Sequence, residues 1–312
     1  TKPTQHSVKE LMSIGIRPDI IIGRCSEPIS AAARAKIAMF CDVPEQAVIS
    51  TPDARTIYEV PMNLEKQGVA DYIIDKMRLG PLTSKRDMEG WERFVSRIVN
   101  PKREVTIALV GKYTSLADSY LSHLEAFTHA GAASECKVRI KFVDSDELVK
   151  NDPASILGDV HGVIVPGGFG IRGVEGKINA ARYARENNIP FLGVCLGFQI
   201  ATIEFCRHVL GLEMASSTEF NPDTPDPVIC IMDEQKGIVN MGATMRLGAQ
   251  DVHVLEGSKA CELYGGKTLI SERHRHRYEV NPDYISRIEE AGWKFTGRSE
   301  CGTRMEIGEL EN

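Results

Sequence analysis

Residues 190–199 read PFLGVCLGFQ: a short apolar run, a cysteine between two glycines, then the start of a helical pattern. An apolar run ending in Gly-x-Cys-x-Gly and opening a helix is the thiol counterpart of the Gly-x-Ser-x-Gly nucleophile elbow. A sharp strand-to-helix turn holds the side chain clear of a sheet, and flanking glycines relieve the crowding. The helix N-terminus then faces the sulfur, which favours thiolate. The Leu196 N–H is placed to donate to an oxyanion. Alone, the pattern fits equally a buried cysteine at a tight junction.

Upstream, the same period repeats. EVTIALVG (104–111), KVRIKFVD (137–144), VHGVIVPGGFG (160–170) and PFLGV (190–194) read as strands, with helices over 116–131, 176–188 and 196–211. Short apolar strands alternating with helices imply a mostly parallel sheet covered on both faces. Ligands then bind at the carboxyl ends of the strands. The loop Pro166-Gly167-Gly168-Phe169-Gly170 leaves one such end, and Cys195 leaves the next. A second N–H, from Gly167 or Gly168, can therefore approach the sulfur. Both motifs on one rim point to acyl transfer by a cysteine.

The first part of the chain has its own alternation. Helices are expected over TQHSVKELMSIG and SEPISAAARAKIAMFC, with strands in RPDIIIGRC and QAVIS. MNLEKQGVADYIIDKM is a further helix that breaks near Gly68. Two strands are few for a whole sheet, so this part is expected to be the end of a domain. Residues 81–103 are charged, hold Pro81 and Pro101, and read as a linker carrying one helix.

The 312 residues are 42% hydrophobic and 26% charged, the profile of a globular protein of two domains. A net charge of -6 supplies no footprint for nucleic acid. No apolar run is long enough for a membrane span, and no signal peptide is present, so a cytoplasmic protein is expected. The eight cysteines include no Cys-x-x-Cys pair, which leaves no metal motif and suits a reducing compartment.

VPGGFGIRGVEGKI (165–178) followed by NNIPFLGVCLGFQ (187–199) resembles the class I glutamine amidotransferase domain. SSTEFNPD, GATMRLG and ERHRHRYEVN, with TKPTQHSVKEL, RPDIIIGR and RAKIAMFCDV, narrow the resemblance to the CTP synthase family. It implies an α/β fold: a parallel-sheet class I glutaminase domain over 104–312, preceded over 1–80 by the C-terminal part of a P-loop-like amidoligase domain. The implied activity is ATP-dependent amination of UTP to CTP, a C–N ligation fed by ammonia from glutamine. Cys195 would be the nucleophile. Gly168 and Leu196 would line the oxyanion hole, with Gly197, Phe198 and Gln199 beside the glutamine. Phe198 stands where the family commonly has Met. Glu219 and Arg277 match positions holding the substrate's ammonium and carboxylate. Arg172 and Glu175 match a loop tied to activation by GTP. Thr1, Lys2, Pro3, Thr4, Gln5 and Lys36 match the site for UTP or CTP, and Ala54 an ATP contact. The resemblance further implies Mg2+ with ATP, no cofactor in the glutaminase domain, and a homotetramer.

Two parts of the family pattern are not found. There is no Gly-x-x-x-x-Gly-Lys-[Ser/Thr] loop. The His-x-Glu that would serve Cys195 as base is expected beyond Asn312. His123 with Glu125 falls on a helix, where residues two apart do not share a face. His253 and Glu256 read as helix or loop residues without strand support. The expectation is a fragment, truncated at both ends, that makes no CTP and hydrolyses glutamine poorly. Two other readings stand beside it: another class I glutaminase, and an assembly or regulatory module with a silent glutaminase site.

Overall fold

The computed structural model describes residues 1–80, 86–112, 114, 117–231 and 246–310. Residues 81–85 of the expected linker, 242–245 of GATMRLG and the final two positions lie outside them. The chain forms two compact units, Thr1–Arg103 with Thr128–Lys137, and Glu104–Phe127 with Val138–Asn312.

In the first unit, β1 (Ile21–Cys25) and β2 (Val48–Pro52) pair in parallel, Ile21 opposite Val48. Helices α1 (Lys2–Ser13) and α2 (Ala31–Cys41) share a core with them built on Val8, Ile21, Ile37, Cys41 and Val48. Ser30 caps α2 by accepting the Ala33 N–H. The expected break at Gly68 separates α3 (Val60–Lys66) from α4 (Val69–Lys76), with Gly68 at φ 71°. Beside β2, the Gln67 side-chain amide accepts from Ser50 N at 2.9 Å and donates to Ser50 O at 2.8 Å. It satisfies the strand as a neighbouring backbone would. Helix α5 (Glu89–Val99), inside the expected linker, packs Trp91 and Phe94 against Tyr58 and His129, and Trp91 Nε1 donates to Tyr58 O.

The second unit is built on a four-stranded sheet. β3 (Arg103–Gly111), β4 (Cys136–Asp144), β5 (Gly162–Val165) and β6 (Phe191–Gly193) lie in the order β4-β3-β5-β6. The pairs β3–β5 and β5–β6 are parallel. Alternate residues face opposite sides. Ala108, Val110, Val163 and Val165 share one core cluster, and Leu109 and Ile164 another with Tyr120 and Phe127. Helix α6 (Leu121–Ala133) begins after a 3-10 turn and runs through Gly131, where the sequence reads a stop. Gly131 is buried, so the site asks for a small residue rather than a cap. The short helices α7 (Glu147–Lys150) and α8 (Pro153–Leu157) precede β5, and α9 (Val174–Glu186) and α10 (Leu196–His208) pack on each other and on the sheet.

Past residue 211 two further sheets appear that helix and strand periodicity does not announce. β7 (Ala215–Ser217), β8 (Asp226–Ile231) and β11 (Tyr278–Val280) form one, in the order β11-β8-β7. β9 (Arg246–Val254), β10 (Leu269–His276), β12 (Trp293–Ser299) and β13 (Met305–Leu310) form an antiparallel sheet in the order β10-β9-β12-β13. Helices α11 (Lys259–Leu263) and α12 (Pro282–Glu290) connect them. The largest core cluster joins α10 to β8, β11 and β12 through Ile200, Ile203, Phe205, Ile229, Val280 and Phe295.

Candidate active site

Strands β3, β5 and β6 are neighbours, and three loops leave their carboxyl ends side by side: Lys112, residues 166–170 and Cys195. The Val194 N–H donates to Val165 O at 3.0 Å, fastening the elbow to the end of β5. Cys195 then turns at φ 54° and ψ -104° and stands at the N-cap of α10. That conformation is costly for a residue with a Cβ and persists because its surroundings enforce it. Gly197 shows how closely. A Cβ there would sit 2.9 Å from the Val165 carbonyl carbon, with the oxygen nearer still.

The sulfur lies where the sequence places it, with one difference in its chemistry. Backbone N–H groups of Leu196 and Gly168 both bond towards it and favour the thiolate. Burial outweighs them, and the carboxylates of Glu279 and Glu219 add to its effect, so the thiol is pushed up from its usual value. The helix N-terminus thus acts in the expected direction, but burial is the larger effect. The sulfur's hydrogen-bond acceptor among the described residues is Arg275 O, at 3.9 Å.

Glu219 is partly buried, and its Oε1 accepts the Gly170 N–H at 2.8 Å, which sets it over the 166–170 loop. Arg277 is partly buried at the bend between β10 and β11. Beside it, Arg275 lies over the Phe169 ring, 5.7 Å from the centroid. Leu196, Gly197 and Gln199 are buried in the first turns of α10, and Gln199 Nε2 donates to Tyr278 O at 2.8 Å. Phe198 packs against Trp293 and Phe295. Glu175 pairs with Arg207 at 2.9 Å, and Arg172 stands 4.0 Å from Asp146.

The Arg-His run of ERHRHRYEVN divides its charges between two strand faces. On β10 it alternates: Arg273 and Arg275 are exposed, while the His274 and His276 side chains are 8% and 16% exposed. His276 Nδ1 meets Glu279 Oε1 at 3.3 Å, His274 Nδ1 meets Glu306 Oε2 at 3.4 Å, and the two imidazoles touch at 3.3 Å. His253 lies on β9, not on a helix or loop, with an exposed side chain. His123 sits on α6 as read, and burial lowers its pKa.

In the first unit, Thr1 stands at the N-cap position of α1 without a side-chain cap bond, and Lys2, Pro3, Thr4 and Gln5 form its first turn. Lys2 and Lys36 are exposed, Ala54 is partly buried, and Gln5 Nε2 is a buried donor without a hydrogen-bond partner. No three His, Cys, Asp or Glu side chains among the described residues gather to hold a metal ion, and no described helix is long and apolar enough to cross a membrane. One polar group at the site escapes the sequence reading. Lys112 Nζ donates to Phe169 O at 2.7 Å and Gly170 O at 3.3 Å. The available signal is its place directly after β3, on the same rim.

Comparison with known proteins bears on both units. Residues 115–312 match the family model Glutamine amidotransferase class-I, and residues 1–79 match CTP synthase N-terminus. The chain is 52% identical over 310 residues to CTP synthase of Archaeoglobus fulgidus, covering 99% of this chain and 57% of that protein. To CTP synthase of Methanocaldococcus jannaschii it is 52% identical over 316 residues, covering 99% and 58%. The chain thus spans somewhat over half the length of these relatives. Among solved structures, the glutaminase domain of Trypanosoma brucei CTPS with bound acivicin superposes with a TM-score of 0.59 at 42% identity, covering 66% of this chain and 79% of that one.

Proposed function

The chain belongs to the CTP synthase family, with a class I glutamine amidotransferase region, and from that premise we propose that its second unit hydrolyses glutamine at Cys195 to supply ammonia. The observation that carries the reading is Cys195 held at φ 54° at the N-cap of α10, with the Leu196 and Gly168 N–H groups favouring charge on its partly buried sulfur. Two backbone donors beside a cysteine suit the charge that develops when a thiolate adds to an amide carbonyl. The Cys195 sulfur bonds to the glutamine side-chain carbonyl carbon, and the carbonyl oxygen takes the negative charge. Collapse of that adduct breaks the C–N bond, and protonated nitrogen leaves as ammonia. Water then attacks the thioester and releases glutamate. Glu219 faces the substrate ammonium and Arg277 its carboxylate, with Gly197, Phe198 and Gln199 shaping the wall. A thiol held above its usual pKa needs a proton acceptor. That acceptor then returns the proton to the leaving nitrogen.

The ligase reaction, amination of UTP to CTP, is proposed for the whole protein, with domains at 1–80 and 104–312 joined by 81–103. When bound, ATP supplies the phosphoryl group that activates the UTP 4-oxygen. Thr1 to Gln5 and Lys36 would hold the pyrimidine nucleotide, and Ala54 would contact ATP. Exposed cations at Lys2 and Lys36 and an unpartnered amide at Gln5 fit an anionic, carbonyl-bearing ligand. Mg2+ accompanies ATP in this proposal, but no described residues are assigned to it. GTP activation is assigned to the loop of Arg172 and Glu175. A homotetramer in the cytoplasm, independent of nucleic acid and membrane, completes the reading.

The test is covalent capture by acivicin, read by peptide mass, alongside glutamate release. Expected are stoichiometric modification of Cys195, protection by glutamine, and loss of both signals in Cys195→Ser. If iodoacetamide alkylates Cys195 but acivicin does not, there is no glutamine pocket and the reading fails.

A further inference from the structure

Lys112 projects from the end of β3 onto the loop that carries the second oxyanion donor. Its Nζ donates to Phe169 O at 2.7 Å and to Gly170 O at 3.3 Å. The Gly170 N–H, from the same peptide unit as Phe169 O, donates the opposite way, to Glu219 Oε1 at 2.8 Å. One peptide plane is thus gripped at both ends, by a cation on its oxygen and an anion on its nitrogen. The grip falls two peptide planes after the one that carries the Gly168 N–H, in a loop with glycines at 167, 168 and 170. Gly170 has φ 77°. Apart from Phe169 under Arg275, such a loop has little side-chain packing to fix its peptide orientations. Gly168 has only Leu196 near its Cβ position, at 3.4 Å. Lys112 is partly buried. A charge-assisted bond to a carbonyl in a partly dry site is about twice as strong as a neutral one.

We propose that Lys112 is a positioning residue for glutamine hydrolysis: by holding the Phe169–Gly170 peptide plane against Glu219, it keeps the Gly168 N–H aimed at the oxyanion. The inference rests on the glutaminase reading above. Lys112 touches neither the sulfur nor, on this reading, the substrate, and acts through the loop. It also ties the substrate-binding carboxylate to the oxyanion hole, because Glu219 and Lys112 hold the same peptide.

The test compares the full chain with Lys112→Met and Lys112→Arg. Hydrogen exchange is read in peptides covering 166–171 and 196–205. Glutamate release and the iodoacetamide alkylation rate of Cys195 are measured in parallel. In Lys112→Met, exchange over 166–171 should accelerate at least about 10-fold, with 196–205 unchanged. Alkylation of Cys195 should slow far less than kcat falls, because the Leu196 N–H still favours the thiolate, while kcat falls about 10–100-fold and KM moves less than about 3-fold. Lys112→Arg, which retains a cationic donor, should recover part of both losses. Unchanged exchange and kcat in Lys112→Met would overturn the proposal. So would acceleration that spreads through 196–205, since Lys112 would then be a general prop. If iodoacetamide but not acivicin modifies Cys195 in the unaltered chain, the glutaminase reading fails by itself, and the exchange comparison still decides whether Lys112 holds the loop. Should Lys112→Met not fold, Lys112→Gln carries the same comparison.

Discussion

Adding one methyl group to Gly197 tests how the elbow is held. The new Cβ would lie 2.9 Å from the Val165 carbonyl carbon and 3.1 Å from Val165 Cβ, with the carbonyl oxygen inside both. The obstacle is backbone, not the flexible end of a side chain, so either β5 or the start of α10 must move by about 1 Å or more. Overpacking of this kind costs about 1–3 kcal/mol. The same shift strains the 3.0 Å bond from Val194 N–H to Val165 O. Its loss adds about 1 kcal/mol. Gly197→Ala should therefore destabilise the second unit by about 2–4 kcal/mol. Trp293 is buried in that unit's core and Trp91 belongs to the other unit. Urea unfolding in a Trp91→Phe background thus reports the second unit through Trp293 alone. Because the movement displaces Leu196 as well, the iodoacetamide rate at Cys195 should change with it. A stability change under about 0.5 kcal/mol with an unchanged alkylation rate would refute the claim that the elbow is wedged against β5.

Two more outcomes follow from individual ionisable groups. Lys177 is buried on α9, and its pKa falls from 10.5 to about 8 by burial, aided by the charge of Lys112. Between those two pH values the unfolded chain binds the extra proton, so stability should rise with pH across that window. Lys177→Met should remove this slope and gain about 1–3 kcal/mol at pH 7, a gain that fades above the window; equal pH slopes in urea unfolding would contradict the burial cost. Cys301 is exposed, and hydrogen bonds from Ser299 and Thr303 bring its thiol down to about 7. Peptide-resolved alkylation should therefore modify it before Cys195 at neutral pH, with half-maximal rate near pH 7, and Thr303→Val should move that midpoint upward; a midpoint near 9 in the unaltered chain would remove the hydroxyl effect.

The elbow and the glycine loop were legible because each is a local pattern with one geometric purpose, and strand alternation put them on one rim. Cys195 and Leu196 stand at the start of α10 beside the loop of Gly167 and Gly168, although the residues alone left open which glycine faces the sulfur. The net state of the thiol was not legible. It depends on how much surface Cys195 loses and on Glu219 and Glu279, which approach from distant parts of the chain. The Arg-His run carries a usable signal. Strict alternation over four residues is a strand with arginines on one face and histidines on the other. Read that way, His274 and His276 face inward, although their partners Glu306 and Glu279 could not have been named from spacing alone. Lys112 is one lysine among many until β3 is known to lie beside β5. The sheets built from residues 215–310 were missed because short antiparallel strands with mixed faces leave weak periodicity.

The raised pKa of Cys195 has a consequence for the protein's durability. Peroxide attacks thiolate, not thiol, and the damage climbs from sulfenic to sulfinic acid, which is irreversible for most proteins. A thiol whose pKa is raised by partial burial, facing the Arg275 carbonyl, offers little thiolate to oxidants. Its reactivity is then drawn out only in the presence of a base and a bound substrate. The desolvation that makes Cys195 depend on a partner for chemistry also shelters it from chemistry it should not do.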